Sequence, residues 1–252
     1  MTQQSLAPLL AANKVLDEII AIASTHQSLD QFTHDRLERA AKSSIPIDAA
    51  FSYATLGALE AVSGNEELMD SYHINSIQLC NNALMHRNYA GSLHHVSRVR
   101  EAAEQAQIAA SLAEGDIEEV RSAIRFTEQC GGITMATSFV DTYKKLAPTD
   151  TGAYTNLIKA ALVQKTVGIT DEEIMQLVQI ACDLLRSKQT HFVDQELVVD
   201  EEDEGFISLC INLNLTNEEI WDFNRQLFET MLDRVPKQSP YLSVRFGRNN
   251  IA

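Results

Sequence analysis

Apolar side chains recur every three or four residues along most of this chain, which is the spacing of an amphipathic α-helix. Near the N-terminus, one such face combines Leu9, Leu10, Leu16, Ile19 and Ile20. A second helix is predicted to open at Ser28 and Gln31, which together resemble a capping box. A third helix is predicted after Pro46, over residues 47–62.

A cap-like segment recurs four times, and each copy places a small polar or acidic residue three positions before a glutamate. The copies occupy residues 63–66, 116–119, 170–173 and 216–219, at intervals of 53, 54 and 46 residues. Such a residue accepts hydrogen bonds from the free backbone N–H groups of a first helical turn, and the glutamates favour the positive end of the helix dipole. The recurrence predicts repeated helical units, each of which buries its apolar face on its neighbour.

Part of this pattern resembles a known repeat. Residues 115–120, running into Ala123 and Phe126, are similar to the turn and second helix of a tetratricopeptide repeat. Further matches to the spacing of that family are Tyr53, Leu56, Gly57 and Gly64. The resemblance implies a stack of helical hairpins, an α-solenoid, that serves as a protein-binding scaffold and performs no chemistry of its own.

The helical pattern breaks after residue 190. Residues 200–204 are all acidic and predict a solvated loop. The flanking segments 196–199 and 206–210 fit either the two strands of a hairpin or the ends of helices, and periodicity does not separate these over so few residues. Residues 241–246 alternate like a strand and predict an extended tail.

Composition agrees with a mostly helical fold, since only 10 of the 252 residues are glycine and 5 are proline. We predict an all-α chain, with stacked helical hairpins over residues 1–190. Residues 191–252 are expected to add the acidic loop, a terminal helix and a basic tail to the same domain, with a small β-hairpin or extended tail near the C-terminus.

The sequence indicates neither export nor membrane insertion. The N-terminal residues lack a basic region followed by an uninterrupted apolar run, so they predict an amphipathic helix rather than a signal peptide. No stretch approaches the roughly 18 consecutive apolar residues that span a membrane. The four cysteines include no CxxC pair, which favours buried thiols in a reducing compartment. We expect a cytoplasmic protein without a cofactor.

The sequence also lacks the common catalytic motifs: a Gly-rich phosphate loop, HExxH and GxSxG. Four histidines lie close together in the sequence and are the candidate metal ligands: His73, His86, His94 and His95. Neutral imidazoles bind metals, but no carboxylate follows these histidines before Glu101. A histidine-rich enzyme site around residues 73–98 is therefore the weaker alternative to a protein without catalysis.

Charge is distributed unevenly along the chain. The formal net charge is −15, yet residues 71–100 and residues 234–252 contain no aspartate or glutamate. Two interpretations are open: these segments contact an acidic partner, a phosphate-bearing ligand or RNA, or they neutralise the protein's own acidic surface. Under the first interpretation, the candidate partner-binding residues are His86, Arg87, His94, His95, Arg98, Tyr241, Arg245, Phe246 and Arg248.

These observations favour a non-catalytic scaffold, adaptor or regulator whose partner is another protein. The alternative is an acidic antagonist of the antitoxin or immunity type that covers a basic partner, because electrostatic complementarity speeds such association. Nucleic acid is disfavoured as a partner, since an acidic body repels a polyanion.

The basic tail gives a separate prediction. Its alternating apolar residues are expected to pair with one of the two strand-like segments, either within the chain or between the chains of a homodimer. Arg245 and Arg248 are then expected to face the acidic residues 200–204.

Overall fold

The computed structural model describes residues 7–25, 29–113, 115–150, 152–190, 193–200, 205–235 and 237–248. Over these residues the chain is 70% helical, with eleven helices that pack in consecutive pairs and a three-stranded sheet near the C-terminus. The expected fold of stacked helices with a small β element is confirmed. Contacts cluster into two compact units, Met1–Glu114 and Gly115–Ala252. The division expected at residue 190 stays a prediction.

The first unit is built from helix pairs around a central helix. Its helices are α1 (Ala7–Thr25), α2 (Gln31–Ser43), α3 (Ala49–Ser63), α4 (Glu66–Leu79), α5 (Ala83–His95) and α6 (Val99–Leu112). α3 packs against α4 and also contacts α1, α2 and α5, while α5 and α6 form another close pair. α3 is therefore the central helix of this unit, and most of its positions are buried.

Two apolar clusters surround α3. The cluster that joins α1, α2 and α3 consists of Val15, Ile19, Leu37, Ala41, Leu56 and Leu59. The cluster that joins α3 and α5 consists of Ala50, Phe51, Ala54 and Met85. The buried positions of α6 are mostly alanine, and small side chains let its axis approach that of α5 closely.

The second unit combines helices with the sheet. Its helices are α7 (Ile117–Gln129), α8 (Ile133–Leu146), α9 (Thr155–Val167), α10 (Asp171–Ser187) and α11 (Asn217–Arg234), and its strands are β1 (Asp194–Asp200), β2 (Phe206–Leu213) and β3 (Leu242–Arg248). α7, α8 and α9 pack in succession, and α9, α10 and α11 contact the sheet.

The sheet decides between the alternatives that the sequence left open. β1 and β2 form an antiparallel hairpin in which Leu197 lies opposite Leu209, so the strand interpretation is correct. β3 pairs in parallel with β2 and places Val244 beside Leu209. All three residues are buried and form one row of the core across the sheet. The predicted pairing of the tail is therefore made within the chain.

The direction of β3 corrects one prediction. Because β3 runs parallel to β2, Arg248 lies beside Leu213, whereas Asp200 pairs with Phe206 at the other end of β2. Those two ends are roughly 23 Å apart at about 3.3 Å per residue. The expectation that Arg248 faces Asp200 is therefore wrong, and the expectation for Arg245 stays a prediction. Residues 201–204 themselves lie outside the described part of the chain.

Three helices begin at the caps that the sequence predicts. Thr170 and Thr216 each form a complete capping box. Their hydroxyls accept from the backbone N–H of Glu173 and Glu219 at 3.2 and 3.3 Å, and those carboxylates accept from the cap N–H at 2.7 and 2.8 Å. Asp116 caps α7 by accepting from two N–H groups of its first turn.

Two predicted caps differ from the structure or fall outside it. Ser63 is the last residue of α3, and Gly64 ends that helix in the left-handed region at φ 78°. The cap of α4 is Asn65, which accepts a first-turn N–H at 3.3 Å. The cap expected at Ser63 is therefore wrong, because a glycine tolerates the positive φ that ends a helix. Ser28 lies outside the described residues, and Asp30 caps α2.

Replacing Thr170 or Thr216 with alanine is expected to lower the free energy of unfolding by about 0.5–2 kcal/mol, because each variant loses the side-chain acceptor of its capping box. Urea denaturation followed by circular dichroism measures this loss. Thr166→Ala is the matched control, since Thr166 is exposed within α9, and it should leave stability nearly unchanged. Equal losses in all three variants would show that the capping boxes add no stability of their own.

Candidate functional site

The acid-free segment 71–100 lies in the first unit, on α4, α5 and the start of α6. His86 is 6% exposed, and both of its ring nitrogens have close polar neighbours. Nδ1 lies 2.7 Å from Oε1 of Gln105, and Nε2 lies 2.8 Å from Oδ1 of Asn81. Through Gln105, this histidine joins α5 to α6.

Arg98 makes several polar contacts within the first unit. Its Nη1 donates to both carboxylate oxygens of Asp70, at 2.9 and 2.8 Å, and its Nε donates to Glu101 at 2.7 Å. The hydroxyl of Tyr89 also donates to Asp70, at 2.8 Å. The hydrogen bonds to Glu101 and Asp70 raise the pKa of Arg98. Arg98 thus connects α4 to α6 and neutralises acidic residues of its own unit.

His73 is fully buried between α3, α4 and α5. Its Nε2 lies 2.8 Å from the Ser92 hydroxyl, and its ring stacks on Tyr89 with centroids 4.8 Å apart. Burial lowers the pKa of His73 to about 3, so its ring is neutral at physiological pH. Gly57 leaves the space for this ring, since a Cβ at that position would lie 2.5 Å from it. Gly57 is thus a packing requirement of the first unit.

The other candidates of this segment, Arg87, His94 and His95, are half-buried on α5. His86 and His94 occupy the same helix, about two turns apart. Within the described ranges, no group of three or more His, Cys, Asp or Glu side chains has the arrangement of a metal site. The contacts of His86 and Arg98 support the second interpretation of this segment: His86 joins two helices of its own unit, and Arg98 neutralises carboxylates of that unit.

The second candidate set lies on β3 in the other unit. Phe246 is 1% exposed and packs edge to face on Phe223 of α11, with ring centroids 5.6 Å apart. The neighbouring Asn224 completes this contact. Its side chain accepts from the backbone N–H of Phe246 at 2.8 Å and donates to the Phe246 carbonyl at 2.9 Å. Phe246 is therefore a core residue that holds β3 against α11.

The remaining members of this set differ in exposure. Tyr241 is half-buried directly before β3, and its carbonyl accepts from the Ile207 N–H at 2.9 Å. Arg245 and Arg248 are exposed. The structure thus leaves two exposed cations on β3 and places the aromatic residues of the set in or beside the sheet.

Truncation of the chain after Asp233 is expected to destabilise the second unit, because the three buried side chains of β3 leave the core and Asn224 loses both backbone partners. Removing a large buried side chain costs roughly 2–5 kcal/mol, so thermal denaturation should show a clearly lower transition temperature. A chain that ends after Arg248 is the control and should unfold like the full-length protein. An unchanged transition in the shorter chain would contradict the core role of β3.

Sequence reasoning missed an exposed apolar stripe on α11. The buried face of this helix consists of Ile220, Leu227 and Met231. Beside it, Trp221, Phe228 and Leu232 are 68%, 60% and 51% exposed. Arg225 lies between Trp221 and Phe228 on the same side of the helix, so the four residues are spaced by four, three and four positions. We call this set of four exposed side chains the α11 stripe. The spacing is visible in the sequence, but it equally predicts a core-facing stripe.

Arg225 is held in place on the α11 stripe. Its guanidinium carbon lies 6.0 Å from the centroid of the Trp221 ring. The same group donates to Asp222 at 2.5 Å and to Glu229 at 3.3 Å. The hydrogen bond from Arg225 lowers the pKa of Asp222. The stripe therefore presents apolar side chains with one cation that is already paired with two carboxylates.

A half-buried carboxyl group elsewhere in this unit titrates near neutral pH. Burial, reinforced by the nearby carboxylate of Asp194, raises the pKa of Glu128 from 4.5 to about 7. The side chain of Gln195 contacts the same residue and donates to its backbone carbonyl at 3.4 Å. Glu128 therefore takes up a proton where the end of α7 meets β1.

Glu128→Gln is expected to raise stability at pH 8 and to change it little below pH 4.5. In the wild-type protein the unfolded chain loses this proton near pH 4.5 and the folded chain near pH 7, so the folded state loses stability as the pH rises through that interval. One pKa unit corresponds to about 1.4 kcal/mol, and partial exposure of Glu128 reduces the total to about 1–2 kcal/mol. Urea denaturation of both proteins from pH 4 to 8 measures this, and a pH-independent difference would contradict it.

No protein-family model matches this chain, and no curated protein matches it either. Over the residues that the structure describes, no helix has the length and apolar content needed to cross a bilayer. Evidence about function therefore comes from the geometry of each unit.

Proposed function

We propose that this protein is a non-catalytic scaffold or adaptor that binds another protein, and that the α11 stripe is its main contact surface. One observation supports this most directly: three large apolar side chains are more than half exposed and aligned on one side of a helix whose other side is packed. Aromatic residues dominate the binding energy of many interfaces. A helix face with this spacing is a common surface for recognition of another helix.

A partner would cover a large apolar area on the α11 stripe. A tryptophan or phenylalanine buries about 150–250 Å² when fully covered. At about 25 cal/mol per Å², covering the exposed fractions of Trp221 and Phe228 contributes roughly 6 kcal/mol before the entropic cost of association. Single exposed apolar residues such as Leu162, 62% exposed, are ordinary on protein surfaces, whereas an aligned group suggests an interaction site.

Other features are consistent with this proposal. The helical-hairpin architecture is of the kind that the tetratricopeptide resemblance implies for a binding scaffold. The four cysteines are free thiols, and three of them are buried, which supports a reducing, cytoplasmic environment. The histidine-rich enzyme alternative is weaker, because His73 and His86 are engaged in helix packing.

The double variant Trp221→Ala, Phe228→Ala is expected to weaken partner binding at least tenfold, because the minority of interface residues whose truncation costs more than about 1 kcal/mol is enriched in large aromatic residues. Tagged full-length protein from its native cells supplies the partner, whose affinity for purified wild-type and variant proteins is then measured by biolayer interferometry. Stability should change little, since both side chains are mostly exposed.

Leu162→Ala is the matched control, because it removes a similarly exposed apolar side chain from α9 of the same unit. It should bind like the wild-type protein. A partner that binds the double variant and the control equally well would place the contact surface elsewhere and contradict the proposal.

A further inference from the structure

The two borders of the α11 stripe differ in charge. Successive residues of a helix lie about 100° apart around its axis, so the residues along each side of the stripe can be assigned from their positions. One side contains four carboxylates, which we call the acidic border: Glu218, Asp222, Glu229 and Asp233. The opposite border contains the uncharged Asn217 and Asn224, the second of which is bonded to β3. Arg225 is paired with Asp222 and Glu229 of this border, and Lys188 lies near Asp222.

We infer that the α11 stripe binds an amphipathic helix whose own apolar stripe is bordered by lysine or arginine. This inference rests on the proposed function and names the class of partner. The apolar side chains would pack into Trp221, Phe228 and Leu232, while the basic residues of the partner would lie along the acidic border. The formal charge of −15 attracts a basic segment at long range as well.

The length of the α11 stripe fits a helix laid alongside it. From Trp221 to Leu232 the stripe extends over eleven residue steps, roughly 17 Å at 1.5 Å per residue. Two helices that pack with a small crossing angle share contacts over about this length. A partner helix of three or more turns would therefore cover all three apolar side chains at once.

A second copy of this chain, packed antiparallel on the stripe, is a poorer occupant. In a two-fold symmetric antiparallel pair, each border of the stripe faces the same border of the other copy. The acidic border would then lie against itself, with Asp222 and Glu229 of one copy near the same carboxylates of the other. Like charges in contact oppose such a pair, and the net charge of each chain adds to the repulsion. Charge complementarity thus favours a basic partner.

Trp221 makes the inference directly measurable, because it is the single tryptophan of the chain and lies in the α11 stripe. The probe is a capped 18-residue helical peptide of leucine, alanine and lysine, with leucines spaced by four, three and four and lysines along one border. Titrating it into the full-length protein is expected to shift the Trp221 emission to shorter wavelength, since the indole leaves water. A peptide of the same composition with scrambled order, and one with glutamate in place of lysine, should bind at least tenfold more weakly.

Two variants separate the apolar and electrostatic contributions. Phe228→Ala should weaken peptide binding about tenfold or more. Asp222→Asn, Glu229→Gln should weaken it about three- to tenfold and reduce its dependence on salt, because two carboxylates of the acidic border are removed. The control Asp35→Asn, Glu104→Gln changes the net charge equally at exposed sites of the first unit and should bind like the wild-type protein.

Several results would overturn the inference. Equal binding of the scrambled peptide would show attraction by charge alone, and equal binding of the glutamate peptide would show that the acidic border plays no part. A concentration-dependent blue shift without peptide, together with a dimer in sedimentation velocity, would identify a second copy as the occupant.

If no helical peptide binds but the native partner is lost in the Trp221→Ala, Phe228→Ala variant, this inference fails and the proposed function stands. If that variant keeps its partner, the proposed function fails.

Discussion

The contact between Asn224 and Phe246 fixes the arrangement on which the proposed surface depends. One side-chain amide satisfies both the N–H and the carbonyl of Phe246, and the Phe223 ring packs against the Phe246 ring beside it. These contacts set the rotation of α11 about its axis relative to β3. With that rotation fixed, Ile220, Leu227 and Met231 face the interior, and the stripe that begins one residue later faces solvent. The same amide occupies part of the outer edge of β3, where an unpaired strand edge invites pairing with other chains.

Charge in this protein is organised within each unit. In the first unit, Arg98 forms ion pairs with Asp70, Glu101 and Glu66. Arg98 belongs to the acid-free segment 71–100, and the carboxylates that it neutralises lie just outside that segment. In the second unit, Arg234 at the end of α11 lies 3.5 Å from Asp183 of α10. A segment that is basic in sequence is therefore not necessarily a basic surface. The acidic border of α11 lies on the exposed side of its helix, and this is why the partner inferred for it is basic.

The features predicted best from sequence are those decided within one helical turn. Thr170 and Thr216 bond to a backbone group three residues away, so both partners of each cap are visible in one short stretch of sequence. The cap at Ser63 was misplaced because a glycine and an asparagine follow it immediately, and either could end or start a helix. Helix content is similarly local, since hydrophobic periodicity specifies it. The β-hairpin is not, because the periodicity of its two short segments fits strands and helix ends equally well.

Partner contact by the candidate residues cannot be read from sequence in the same way, for a physical reason. His86, Arg98 and Phe246 have the residue types of a binding site, but the burial of His86 and Phe246 and the ion pairs of Arg98 show that each contributes to the packing of its own unit. The 4-3-4 spacing of the α11 stripe determined that these side chains share one side of a helix. It did not determine whether that side faces the core, because helical periodicity is the same for a buried and an exposed stripe. The sequence by itself determined the helical class, the caps at Asp116, Thr170 and Thr216, and the acidic charge of the chain. Only the tertiary structure decided the parallel direction of β3 and the exposure of Trp221, because both depend on contacts between residues far apart in the chain.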